Sequence, residues 1–210
     1  MRISVRHVIV QEFAPPARAV IQKMRLRPRP CESQHVMSWS IASDVDCQMR
    51  ERQDAFGNFV QTLDAEGPLR KLTITARGEI DTFDTAGVLR GETERFTTDV
   101  FLRDTVLTQC DPPLRKFARE AVKGAKTALD RPHFLMRAVH EAIAFEPGEA
   151  EPVSAAAAFK AKKGASVDMA HVFIAAARSV GVPARFVSGY LASESDGAER
   201  AAGASDLCGW

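Results

Sequence analysis

The sequence has no pair of cysteines close enough to make a metal-binding or redox motif. Its four cysteines, Cys31, Cys47, Cys110 and Cys208, are far apart and form no CxxC. Neither a zinc site nor a disulfide framework is expected, and a reducing cytoplasm is the expected setting. His7, His35, His133 and His140 show no metal-ligand spacing with one another, so no metal and no cofactor is expected. Neither sign of charge dominates: 28 Lys and Arg face 27 Asp and Glu, a formal net charge of +1. No global pull toward nucleic acid or a membrane surface follows from that balance. No apolar run approaches the length of a membrane span. Met1 to His7 holds no continuous apolar stretch, so it does not read as a secretory signal. What is present is hydrophobic residue: 45% of 210 positions. That is enough to bury a core, in one large domain or two small ones.

Residues 1–92 read as β-rich. Ile3 to Val10, Ala19 to Arg27, His35 to Ile41, Phe59 to Leu63 and Leu69 to Ile80 carry strand patterns. Asp54-Ala55-Phe56-Gly57-Asn58 reads as a turn, because Gly and Asn tolerate the backbone angles of a reversal. Several short strands separated by turn signals point to an antiparallel β-sandwich. Residues 93–111 read as a connector. Asp111-Pro112-Pro113 then opens a helix, with proline in the first turn, where a missing N–H costs little. Leu114, Phe117, Ala118, Ala121 and Val122 follow at helical spacing. A second helix runs from Asp130 to about Ala144, with Leu135, Val139 and Ile143 on one face. Ser154 to Ala161 is a short alanine-rich helix.

The chain is organised around Gly164 to Leu191. Ser166 reads as an N-cap whose hydroxyl accepts from a backbone N–H one turn on. Asp168 lies in the first turn, where negative charge suits the positive end of the helix dipole. Val167 to Val180 is apolar but for Asp168, His171, Arg178 and Ser179, a helix covered on most sides. Gly181 is placed to take positive φ after the helix end, and Pro183 stops continuation. Ala184 to Leu191 alternates as a strand does. The tail from Ser193 to Leu207, rich in Ala, Ser, Gly and acids, reads as a mobile loop.

Gly164-Ala165-Ser166-Val167-Asp168-Met169-Ala170-His171 followed by Gly181-Val182-Pro183-Ala184-Arg185-Phe186-Val187-Ser188-Gly189-Tyr190-Leu191 resembles the bacterial transglutaminase-like (transglutaminase/cysteine protease-like) superfamily. Leu26-Arg27-Pro28-Arg29, Gln34 and Asp54 to Asn58 are similar to the family's N-terminal region. Val100 to Thr105 is similar to its link between regions. The resemblance implies an α+β fold: an N-terminal antiparallel β-sandwich, then a papain-like/transglutaminase-like core over 112–210 that is C-terminally incomplete. It also implies thiol-dependent acyl transfer on peptide or amide substrates, by a Cys–His–Asp arrangement. This sequence departs from the pattern at the decisive place, because Ser166 occupies the position of the nucleophilic cysteine. Aligning Trp210 with the family tryptophan puts Cys208 on the catalytic histidine. The family's catalytic Asp would lie on strands beyond Trp210, and an open sheet edge there is compatible with a homodimer.

Two functions stay open on these residues. One is a catalytically impaired protein, a pseudoenzyme, that binds a peptide or protein partner. The other is an active amide or peptide hydrolase or acyltransferase, with Ser166 as a native nucleophile or as an engineered replacement of cysteine. Ser166 as nucleophile would need a base such as His133 or His140. His171 lies five positions after Ser166 on one helix, turned about 140° away, and reads as a packed core histidine. Asp168, Arg185 and Tyr190 are candidate binding residues beside the presumed cleft.

Overall fold

The computed structural model describes residues 1–89, 94–147 and 152–190. The chain divides into two compact units, with the break between Arg95 and Phe96.

The first unit is one antiparallel sheet. Its frame is two long strands, β1 (Arg2–Met24) and β4 (Phe59–Thr82), paired from Arg2↔Asp81 to Met24↔Gln61. β2 (Gln34–Ser43) pairs with the C-terminal half of β4, and β3 (Gln48–Gln53) with its N-terminal half. The antiparallel sheet agrees with the expectation from sequence. The strand count does not, because the short segments suggested by the pattern are joined. Ala14-Pro15-Pro16 and Gly67-Pro68 look like breaks, since proline cannot donate to a ladder. Here they sit at a bend: pairing shifts between Glu12 and Ala17 and again between Ala17 and Ala19, then resumes. A bulged strand bends without ending. Leu63 and Ala65 before the bend and Leu72 and Ile74 after it share one apolar cluster with Met24, all at most 5% exposed. Leu26, Ile41 and Met49 pack against it.

The β3–β4 turn shows why the arginines and the DAFGN segment occur together. Asp54 Oδ1 accepts from the N–H of Phe56 at 3.0 Å and of Asn58 at 2.9 Å, and Gly57 takes φ +77. Three alternating arginines grip the hairpin from one side. Arg25 donates to Asp54 at 3.1 Å, Arg27 to Glu51 at 2.9 Å, and Arg29 to the Phe56 carbonyl at 3.1 Å. Burial works against the Asp54 charge. Its hydrogen bonds from the Asn58 side chain and amide, from Arg25 and from Phe56 outweigh that, and its carboxyl is held down at about 2 against an ordinary 3.8. A depressed carboxyl pKa gives stability that is complete above the unfolded value and lost as pH falls through the folded one. Urea midpoints should therefore drop between about pH 4 and pH 2, and Asp54→Asn should flatten that drop. An unchanged slope in the variant would assign the acid sensitivity elsewhere.

The second unit is helical. α1 (Pro112–Ala121) starts on Asp111, whose side chain accepts from Leu114 N–H at 3.0 Å. α2 (Asp130–Ala142) buries Leu135 and Val139, with Ile143 buried directly after it. α3 (Ala155–Ala161) is capped by Ser154, which accepts from Ala157 N–H at 3.3 Å. α4 (Ser166–Ser179) lies against all three. Its Val172, Ala175, Ala176 and Ala177 are fully covered by Leu114, Ala118, Leu135, Val139, Ala155 and Phe159 among others. Small alanines let helices approach closely, which explains how α4 can be contacted on so many sides. Gly181 takes φ +77 after the helix end, as its placement in the sequence suggests. Residues 96–111, the larger part of the stretch expected as a connector, form two 3-10 turns (Thr98–Leu102 and Val106–Thr108) and bury Phe101 and Thr108.

Among the described residues no helix is long and apolar enough to cross a membrane, and no group of three His, Cys, Asp or Glu could hold a metal ion.

Candidate active site

The loop entering α4 is fixed before any side chain of the site is considered. A short parallel pair joins β5 (Ala144–Phe145) to β6 (Lys163–Gly164). Ala144 N–H donates to the Lys162 carbonyl and Glu146 N–H to the Gly164 carbonyl, both at 2.9 Å. Lys162 turns the chain with φ 58. The sequence pattern does not show this pair, since two residues are too few to carry a period.

Ser166 is the first residue of α4, and Ala165 is its cap residue. This corrects the reading of Ser166 as N-cap. The cause is Asp168, three residues after Ala165. Its Oδ2 accepts from Ala165 N–H at 3.0 Å, the reach-back half of a capping box. The alanine methyl accepts nothing in return. Asp168 Oδ1 accepts from Val153 N–H at 2.9 Å. Both carboxylate oxygens are thus engaged by backbone amides, in addition to the favourable placement of the charge near the helix N-terminus. Gly164 is required by this arrangement: a Cβ there would lie 2.8 Å from Asp168 Cβ. The spacing Gly-x-Ser-x-Asp is therefore a packing rule as well as a chemical one.

His171 is buried, 7% exposed, with Nδ1 at 3.3 Å from the Val153 carbonyl. Its ring packs on Phe186 at 5.9 Å between centroids. It is a hydrogen-bonded core histidine. His133 and His140, considered as an external base, are exposed residues of α2.

The strand expected over Ala184 to Leu191 is not formed. Residues 182–189 hold no strand, and Tyr190 makes an isolated bridge. The backbone groups go elsewhere. Ala184 N–H donates to the Phe101 carbonyl at 3.1 Å, and the Ala184 carbonyl is taken by Arg178, whose Nη2 lies at 2.7 Å and Nε at 3.1 Å. The ladder groups of Ala184 itself are thus spent. The Arg185 guanidinium stands over the Phe101 ring at 5.5 Å, on the side of the preceding turns. Tyr190 is half-buried, and burial pushes its phenol up to about 12. The structure thus brings Ser166 and Asp168 together at the start of α4 and places Arg185 against Phe101. Leu191 and Cys208 lie outside the described residues.

Sequence reasoning missed Val153 and Arg178. Arg178 Nη1 also donates to the Arg103 carbonyl at 2.7 Å and to Thr108 Oγ1 at 2.9 Å. One guanidinium therefore ties the 3-10 turns to the segment after α4. A partial signal existed: an arginine inside an apolar helix must be paired to be tolerated.

A serine at this position is a weak nucleophile. A helix N-terminus contributes at most about 2 kcal/mol to a negative charge, about 1.5 pKa units. A thiol can use that much, whereas a hydroxyl needs an aligned base to be activated.

An antiparallel β unit followed by a helical unit, in which α4 packs against α1, α2 and α3, is an α+β arrangement. Residues 3–81 match the family described as bacterial transglutaminase-like N-terminal region, and residues 115–207 match the transglutaminase-like superfamily. By these matches the chain carries a transglutaminase-like N-terminal region and a transglutaminase-like core region. It is similar to an uncharacterized protein of Mycobacterium leprae, at 25% identity over 209 residues, covering 93% of this chain and 73% of that one. It also shares its fold with the crystal structure of a candidate cysteine protease from Cytophaga hutchinsonii. The TM-score is 0.72 at 19% identity, over 90% of this chain and 67% of that chain.

Proposed function

We propose that this chain is a transglutaminase/cysteine protease-like protein impaired in catalysis at Ser166, and that the start of α4 serves to bind a peptide or protein. The observation that carries the reading is a hydroxyl in place of a thiol at the first residue of α4. The loop before it and the helix behind it keep their packing, so the frame for holding a substrate chain is retained while the nucleophile is weakened. In the same reading the chain is cytoplasmic and its partner is a polypeptide rather than nucleic acid, with a second copy of the chain as a further possible partner.

The test compares the native chain with Ser166→Cys on a panel of peptides and amides. Neither protein is expected to turn over, and the introduced thiol should react with iodoacetamide no faster than a helix N-terminus alone allows. Chemical-shift mapping with panel peptides should then place binding at residues 164–171. Turnover by Ser166→Cys would show that a usable base survives and would overturn the alignment of Cys208 with the family histidine. Fluorophosphonate labelling of the native chain that disappears in Ser166→Ala would sink the reading.

A further inference from the structure

Asp168 and His171 stand one turn apart on α4 and hold the two polar groups of a single residue. Asp168 takes the Val153 N–H at 2.9 Å, and His171 Nδ1 lies 3.3 Å from the Val153 carbonyl oxygen. A carbonyl oxygen only accepts, so Nδ1 carries the proton in this contact. The second oxygen of the same carboxylate takes the Ala165 N–H at 3.0 Å. One side chain therefore links Val153 directly to the residue before Ser166. Apolar burial is not what keeps this segment in place, since Val153 is 43% exposed. Phe186, which packs on the imidazole from elsewhere in the chain, is 39% exposed. The polar pair is the fastening.

We propose that Asp168 and His171 are positioning residues. They fix the 152–154 segment beside residue 166 and so shape the wall that a peptide lying across the start of α4 meets. This rests on reading that helix start as the binding site. It assigns His171 a fixed donor role in place of proton transfer, and Asp168 a bridging role in place of a triad acid.

The test uses the full chain with Ser166 intact and follows amide hydrogen exchange by NMR in His171→Asn, His171→Leu and Asp168→Asn. The asparagine carboxamide nitrogen falls where Nδ1 was and can donate. Leucine fills the apolar volume and cannot. In Asp168→Asn one acceptor is replaced by a donor facing an N–H. Exchange at Val153 should rise at least about tenfold in His171→Leu and Asp168→Asn and stay within about threefold in His171→Asn. The amides of Val172 to Ala177 should keep their protection in all three. Equal exchange in the Asn and Leu variants, or loss of protection throughout α4, overturns the proposal. Should His171→Leu fail to fold, Asp168→Asn and His171→Asn still decide it. A second readout is iodoacetamide alkylation of Ser166→Cys. Its rate should move at least about threefold when His171→Leu is added and hold when His171→Asn is added. A rate indifferent to both overturns the link to residue 166. The exchange experiment needs no ligand and no activity, so it decides the positioning role even if peptide binding at the start of α4 fails.

Discussion

Arg178→Met is expected to destabilise the helical unit by about 2–4 kcal/mol and to lower its unfolding midpoint by at least about 10 °C. Four donor contacts converge on this side chain, to Ala184, Arg103 and Thr108. Methionine keeps the stem and the packing but removes every donor. The Ala184 and Arg103 carbonyls then lose a charged partner, and each bond to a charged group is worth about 1.5–3 kcal/mol where water is excluded. Arg103 is exposed and recovers most of its loss from water, which caps the total. Burial pushes the Arg178 guanidinium down and Asp104 partly offsets this, but an arginine stays charged through any working pH. Arg178→Lys separates charge from geometry. One ammonium cannot span three acceptors as the planar guanidinium does, so it should recover less than half of the loss. Calorimetry decides the matter, read on the transition of the helical unit in case the two units unfold separately. A midpoint within about 2 °C of the native chain would mean that packing of Val172 to Ala177 alone fixes the segment after α4.

The same residue shows where the sequence is readable and where it is not. α1, α2, α3 and α4 lie within two residues of their expected bounds, since each carries local signals. Asp111 and Pro112 mark one start, Ser154 another, and Gly181 an end. Those signals act within one or two turns, so the chain states them plainly. The strands read as fragments because Pro15, Pro16 and Pro68 are local stop signals, whereas strand continuity depends on a partner far along the chain, such as Ala19↔Glu66 and Gln11↔Leu72 at either side of the bend. The strand expected from Ala184 on is absent over residues 182–189. At its first residue, Phe101 and Arg178 have already taken the hydrogen-bonding groups, a long-range contact that the alternating pattern does not show.

At the candidate site, the start of α4 is legible from the motif to within one residue. What surrounds it is not. Asp168 and His171 share a helix face by their spacing of three, but nothing in the sequence says that both reach Val153, 15 and 18 positions earlier. Between Val153 and that face lie α3 and the short β6, and neither signals the contact. The expected cap of α4 is misplaced by one residue because a serine attracts the cap assignment. The structure gives the task to Asp168 acting on the Ala165 amide, which leaves Ser166 at the first helical position.

Gly78→Val is expected to cost about 3 kcal/mol or more in the N-terminal sheet. Gly78 lies on β4 between Val5 of β1 and Trp39 of β2. A Cβ at this position would overlap the Trp39 ring and the Ser38 carbonyl oxygen. The register of β2 also shifts next to this contact, between Val36 and Ser38. The indole alone could move aside at modest cost, but the carbonyl belongs to the ladder and moves only with its strand. Loss of glycine also stiffens the unfolded chain, a gain of about 0.4–1 kcal/mol that softens the penalty without cancelling it. Trp39 supplies a local readout. The chain has two tryptophans, so in a Trp210→Phe background emission reports Trp39 alone. Gly78→Val should shift that emission to the red and lower the urea midpoint, and Gly78→Ala should do both to a smaller extent. Native emission with a native midpoint would mean that β2 can slide on β4 at little cost. The register of β2 would then be set by its ladder along Ile74 to Thr82 rather than by close approach at Gly78.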